Sequence, residues 1–133
     1  MTIITALCES YKRELLMGLH AITDDYRMAL YVDGARLSAA TTAYSDSNEA
    51  VGEGYEAGGI PIPNMRVESN GPEYYIDFDP VVYARLTVAV DGCLIYNASK
   101  ENRSVAVFNF GETLTARNGK IEVESPRGIV RLK

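Results

Sequence analysis

From Tyr26 onward, turn signals recur about every 8–12 residues, and short runs rich in β-branched and aromatic residues fill the gaps between them. That spacing belongs to a sandwich or jelly roll. Tyr26–Val32 ends at Asp33-Gly34. Met65–Glu68 and Tyr74–Phe78 flank Ser69-Asn70-Gly71-Pro72, which predicts a hairpin. In its second arm Tyr74, Ile76 and Phe78 share one face, and Tyr75, Asp77 and Asp79 the other. Two apolar runs, Val81–Ala89 and Cys93–Asn97, surround Asp91-Gly92. Ser104–Phe110 stops at Gly111. Thr113–Ala116 and Lys120–Glu124 lie on either side of Arg117-Asn118-Gly119, whose Asn-Gly pair suits the positive φ angles of a type I′ turn. Pro126 and Gly128 precede a last run, Ile129–Leu132. Alternating βα units are absent, which argues against a parallel α/β sheet. The pattern predicts a mainly β fold of about eight short strands: an antiparallel β-sandwich or jelly-roll-like domain over residues 26–132.

The segment before Tyr26 has a different period. Ile4, Leu7, Cys8, Tyr11, Leu15, Leu19 and Ile22 recur at three- and four-residue steps, and Glu9, Lys12, Arg13 and Glu14 fall largely on the other side. This predicts one N-terminal α-helix over about residues 3–22, with Thr2 as its cap. Gly18 inside it costs up to about 1 kcal/mol relative to Ala. Leu16 and Met17 lie off the apolar stripe, either widening the core face or standing exposed. Ser38–Gly59 is small, polar and glycine-rich, and reads as a long ordered loop with a short strand near Ala50–Tyr55. Ile60-Pro61-Ile62-Pro63-Asn64 reads as a sheet-edge segment, because two prolines remove ladder donors.

At 133 residues with 47% hydrophobic side chains, the chain forms one domain with enough apolar material for its own core. The formal net charge of −5 gives no general attraction to nucleic acid, whose binding rests on Lys and Arg neutralising phosphates. No run approaches the roughly 20 apolar residues of a membrane span. The opening Met-Thr-Ile-Ile-Thr does not read as a secretory signal. Cys8 and Cys93, the only cysteines, make no C-x-x-C pair and are expected as reduced core residues of a cytosolic protein.

Candidate chemistry is sparse. His20 is the single histidine, and it is expected at a solvated helix end rather than as a catalytic base. Gly52-Glu-Gly-Tyr-Glu-Ala-Gly58 resembles a phosphate loop, but it misses the dinucleotide spacing by one residue, opens no helix and carries Glu53 and Glu56. A loop that glycine permits is the better reading. Asp77 and Asp79, two apart on one strand face near Glu73, are expected as solvated acids; their use in glycan hydrolysis is the least favoured reading. Asn97-Ala-Ser99 and Asn102-Arg-Ser104 match the glycosylation pattern by chance, and residues 97–102 read as a turn between buried strands. Nine tyrosines and no tryptophan point to a tyrosine-lined core boundary, and tyrosine also suits interfaces. No enzymatic activity, cofactor or metal is expected.

Several segments resemble a family of small virion proteins encoded in the structural-gene regions of tailed bacteriophages. These are Leu7–Leu15 with Gly18-Leu-His20, Tyr26–Tyr31, Thr42-Ala-Tyr44, Asn48–Gly59, and Asp91–Val107 with Phe110-Gly111. Tyr96-Asn-Ala-Ser-Lys100 and Gly54-Tyr-x-Ala-Gly-Gly59 are the most specific of them. The chain departs from the family pattern at Glu53 and Glu56 and in its short basic end. The resemblance implies a virion component made in the host cytoplasm and does not fix its place on the particle; the leading expectation is a capsid decoration or cement protein on the phage head, bound to the major capsid protein or other virion proteins. A tail or fibre-adaptor module is the alternative. Such a protein would be a homo-oligomer, dimer or trimer, with no nucleic-acid or membrane partner. Its contacts are expected on the loop Ala39–Gly59, the edge Ile60–Asn64 and the outer side of the N-terminal helix, through Tyr44, Tyr55, Ile60, Pro61, Ile62 and Pro63.

Overall fold

The computed structural model describes residues 3–125 and 131–132. It is mainly β, with antiparallel sheets and one helix, in a sandwich-like arrangement. The strands are β1 (Ala6–Leu7), β2 (Tyr26–Tyr31), β3 (Ile60–Pro61), β4 (Arg66–Asn70), β5 (Glu73–Asp77), β6 (Val81–Asn97), β7 (Arg103–Val123) and β8 (Arg131–Leu132); the helix α1 is Glu9–Leu16. One sheet has the order β1-β7-β6-β2-β3 and the other β4-β5-β8. The β4–β5 hairpin forms as expected, with Asn70 opposite Glu73 across Gly71-Pro72. The proline-bearing β3 lies at the sheet edge, as its missing donors require. Cys8 and Cys93 are buried and unbridged.

The long strands β6 and β7 replace five shorter ones in the expected pattern. Asp91-Gly92 is no turn: Gly92 sits inside β6 between Tyr31 and Asn109. A Cβ there would lie 2.5 Å from Phe108 O and 2.8 Å from Ile3 Cγ2, so glycine lets Ile3 pack against the strand. Arg117-Asn118-Gly119 is no turn either. The register steps from Leu86↔Gly119 to Val88↔Ala116, which adds one residue to β7, a β-bulge. Asn118 takes φ 46°, and its N–H donates to Thr87 Oγ1 at 2.9 Å. Gly119 is not at positive φ, whereas a type I′ turn needs both residues there. Gly111 likewise marks a register step rather than a strand end. Bulges twist a long ribbon, so one pair of strands can serve a core at both ends.

The helix is shorter than the apolar period predicts. Ile3 bridges Leu37 and is buried, while Ala6 and Leu7 pair with Val107 and Ala106. A run of Ile and Thr favours extended backbone, and a waiting sheet edge decides the matter. At the other end the Met17 N–H closes the last turn on Arg13 and Glu14, and Gly18 follows at φ +77°. The helix N-cap is Cys8; Thr2, the expected cap, lies outside the described residues. The expected break at Pro126 and Gly128 and the start of the last strand also lie outside them.

Residues 92–97 of β6 and 104–108 of β7 are buried, because the ribbon is covered on both faces there. On one face Tyr11, Tyr26, Met65, Ile76 and Phe78 close over Ile95 and Val105. On the other, Tyr44 stacks on Tyr96 with ring centroids 4.8 Å apart. Neighbouring strand residues point to opposite faces, so α1 and the hairpin cover one side and the long loop the other.

Candidate functional site

The polar groups that the sequence singles out are folded into three internal networks. The first surrounds His20. Instead of a solvated helix end, the ring is only 9% exposed and lies against Tyr11, with centroids 4.8 Å apart. Asn97 Oδ1 accepts from Ser99 N at 3.0 Å, and its Nδ2 donates to Asp24 Oδ2 at 2.8 Å and to His20 Nδ1 at 3.0 Å. Since Nδ1 accepts, the ring proton sits on Nε2, which donates to Glu14 Oε1 at 2.9 Å. Glu14 Oε2 accepts from Arg103 at 3.0 Å, and Asp24 Oδ2 from Lys100 at 2.6 Å. Both ring nitrogens are therefore engaged. The network joins α1, the segment after it and the β6–β7 connection.

Two carboxylates in this network have lowered pKa values. Burial pushes Glu14 up, but hydrogen bonds from His20 and Arg103 outweigh it. Hydrogen bonds from Asn97 and Lys100 bring Asp24 down from 3.8 to about 2. A depressed folded-state pKa stabilises the fold above the unfolded value and ceases to do so as pH falls through the folded value. Urea unfolding across pH should thus show that these two carboxylates contribute a loss of stability as pH falls from about 4.5 to 2. Asp24→Asn should make that fall shallower; an unchanged slope would contradict the assignment.

The second network holds the long loop. Glu49, buried, accepts from Tyr44 Oη at 2.5 Å, from Gly58 N at 2.7 Å and from Tyr55 Oη. Burial, then the Glu49 carboxylate, push both phenol pKa values up. Tyr96 Oη donates to Gly58 O at 2.6 Å, and Tyr31 Oη to Ser45 O at 2.6 Å. The short strand expected near Ala50–Tyr55 does not form; the loop backbone makes isolated bridges instead, Glu49 with Tyr31 and Glu53 with Thr87 among them. The resemblance to a phosphate loop dissolves into packing: Gly59, at φ +75°, passes so close to β2 that a Cβ would lie 1.8 Å from Met28 O. Glu49→Gln keeps the shape but places an NH2 against at least one donor. We expect a loss of about 2 kcal/mol, read as a lower urea midpoint with faster amide exchange in residues 44–58. A midpoint equal to that of the wild type would rule the latch out.

The third network corrects the reading of Asp77 as a solvated acid. Asp77 is 5% exposed; Arg66 lies 3.3 Å from it, 3.1 Å from Asp79 and 2.8 Å from Glu68. The cation sits between the two aspartates and pairs with both as well as with Glu68. Asn97, read as part of a turn, is wholly buried at the end of β6. Among the described residues no His, Cys, Asp or Glu cluster could hold a metal ion.

Of the residues expected to meet a partner, Tyr44 and Tyr55 are half-buried with their hydroxyls on Glu49. Ile62 is buried, Ile60 is half-buried, and Pro61 and Pro63 are exposed. The most exposed large apolar side chains lie elsewhere, at Leu16 (91%), Met17 (68%) and Val51 (93%). Leu16 and Met17 were legible as off-stripe residues; Val51 carried no signal in its small-residue surroundings. Two of the segments that carry the phage resemblance meet in space, since Tyr96 bonds Gly58, and a third contributes His20 beside Asn97. Comparison with protein-family models, with curated proteins and with solved structures returned no match.

Proposed function

We propose that this protein is a structural component of a tailed-phage particle, a decoration or cement protein that binds the major capsid lattice and works by contact rather than catalysis. The observation that carries this reading is the placement of Leu16, Met17 and Val51: apolar side chains left in solvent on anchored backbone. A lone exposed leucine is ordinary. Here Leu16 and Met17 are neighbours at the end of a helix whose inner side is tied down through Tyr11 and Glu14. Val51 stands between Ala50, which donates to Leu30 O, and Glu53, which bridges Thr87. The resemblance in sequence supports the phage setting. Some of the residues that carry it, His20, Gly58 and Tyr96 among them, make internal contacts.

A lattice presents many sites, so modest affinity per copy is enough. Quantitative mass spectrometry and electron microscopy of purified particles test the reading. Copy number comparable to that of the major capsid protein, with density on the head, is the expected result. A few copies per particle with density confined to the tail would replace it with the tail or fibre-adaptor alternative.

A further inference from the structure

The three most exposed large apolar residues, Leu16, Met17 and Val51, lie at two places of opposite charge. On α1, Lys12 and Arg13 precede Leu16 and Met17 by four residues, so each cation sits one turn below an apolar side chain on the solvent side. All four are exposed, and neither cation is in an ion pair among the described residues. Glu9 is the one acid on this side, in the first turn away from the apolar end. Along the loop, Asp46 precedes Val51 by five residues and Glu53 and Glu56 follow it within five, all exposed, while the exposed Arg85 has its backbone against Gly54. The helix covers one face of the five-stranded sheet and the loop the other, through Tyr44 on Tyr96 and the Glu49 latch. One copy cannot bring the two patches together.

We propose that the basic, apolar outer side of α1 docks on the acidic, Val51-centred loop of a second copy of this chain. Such a contact joins two different surfaces, so it repeats: it closes into a ring if the rotation per copy fits, and otherwise grows as a chain. Charge complementarity selects the partner and its orientation, and burial of Leu16, Met17 and Val51 supplies the apolar centre. A handful of side chains on each side falls well short of the roughly 20–30 of a stable interface. The single contact is therefore weak, and it is reinforced where a ring closes. This inference draws on the same three exposed side chains as the virion reading, and its test uses the purified chain alone so that either can fail without the other.

Sedimentation velocity of the protein over a wide concentration range is the test, at about 0.05 and 0.5 M salt. Association that rises with concentration and weakens at high salt is expected. The double variant Lys12→Glu/Arg13→Glu should weaken it about tenfold, as should Glu53→Lys/Glu56→Lys. Combining all four changes should restore it. Two blocked variants, Leu16→Ser/Met17→Ser and Val51→Ser, should each stay monomeric yet form one-to-one pairs when mixed, since each retains the patch the other lacks. Every altered side chain is exposed, so circular dichroism should show an unchanged fold. A monomer at all concentrations would overturn the proposal. So would a closed dimer indifferent to either set of charges, or blocked variants that fail to pair.

Discussion

Gly59→Ala is expected to lose about 3–5 kcal/mol of stability, a large part of the 5–15 kcal/mol that holds a domain of this size together. Two effects combine. Gly59 has φ +75°, a region that costs an L-residue about 1–2 kcal/mol. The new Cβ would also lie 1.8 Å from Met28 O and 2.6 Å from Met28 C, and these are backbone atoms of β2 with no rotamer to turn aside. Either the strand or the loop must shift, and the shift strains the Tyr96–Gly58 and Glu49–Gly58 bonds next door. Gly71→Ala separates the two effects. Gly71 has φ +65° with nothing within 4 Å of a Cβ, so it should lose only about 1 kcal/mol. Equal losses in the two variants, measured by urea denaturation, would mean that the close approach to β2 is unimportant.

Glu14→Ala should cost about 3–5 kcal/mol. The substitution removes the acceptor of both His20 Nε2 and Arg103. Arg103 keeps Glu101 at 3.0 Å and is partly in water, so the heavier loss falls on the histidine, enclosed beneath Tyr11. Glu14→Gln should lose less, since its single carbonyl oxygen can serve one donor. The pair Glu14→Leu/His20→Leu should lose less than the sum of the two single changes, with coupling of about 1–3 kcal/mol, because neither of the two is then left facing the other's unpaired group, although Asn97 and Arg103 each still lose one partner. Strict additivity in that cycle would show that the two side chains do not depend on each other.

Residue patterning was a sound guide to what a strand or helix does locally. The β character after Tyr26, the β4–β5 hairpin and the proline-guarded β3 edge follow from side-chain type and from donors present or missing. It was a poor guide where one local preference serves two structures. Asn118-Gly119 and Asp91-Gly92 suit a tight turn, and they suit equally a bulge or a close approach inside a strand. Only the partner strand chooses, because the continuing ladder from β6 to β7 outweighs a turn that would break it. The helix shortened for the same reason: residues 3–7 carry an apolar period that fits a helix, and an available edge on β7 gave their N–H and C=O groups a better use.

The mainly β, antiparallel character and the unbridged buried cysteines were thus determined by the chain's own composition and punctuation. The long loop was visible as a loop, but what holds it was not. Glu49 meets Tyr44, Tyr55 and Gly58, and His20 meets Asn97 at a separation of 77 residues; no spacing rule reaches that far. Burial settled the rest. A carboxylate or imidazole enclosed by the fold must find partners, because an unpaired polar group is costly in a low-dielectric interior. The groups that looked most like chemistry, His20 and Asp77, were turned inward and paired. The side chains left in solvent are plain ones: Lys12, Arg13, Leu16 and Met17 at the helix, and Val51 on the loop.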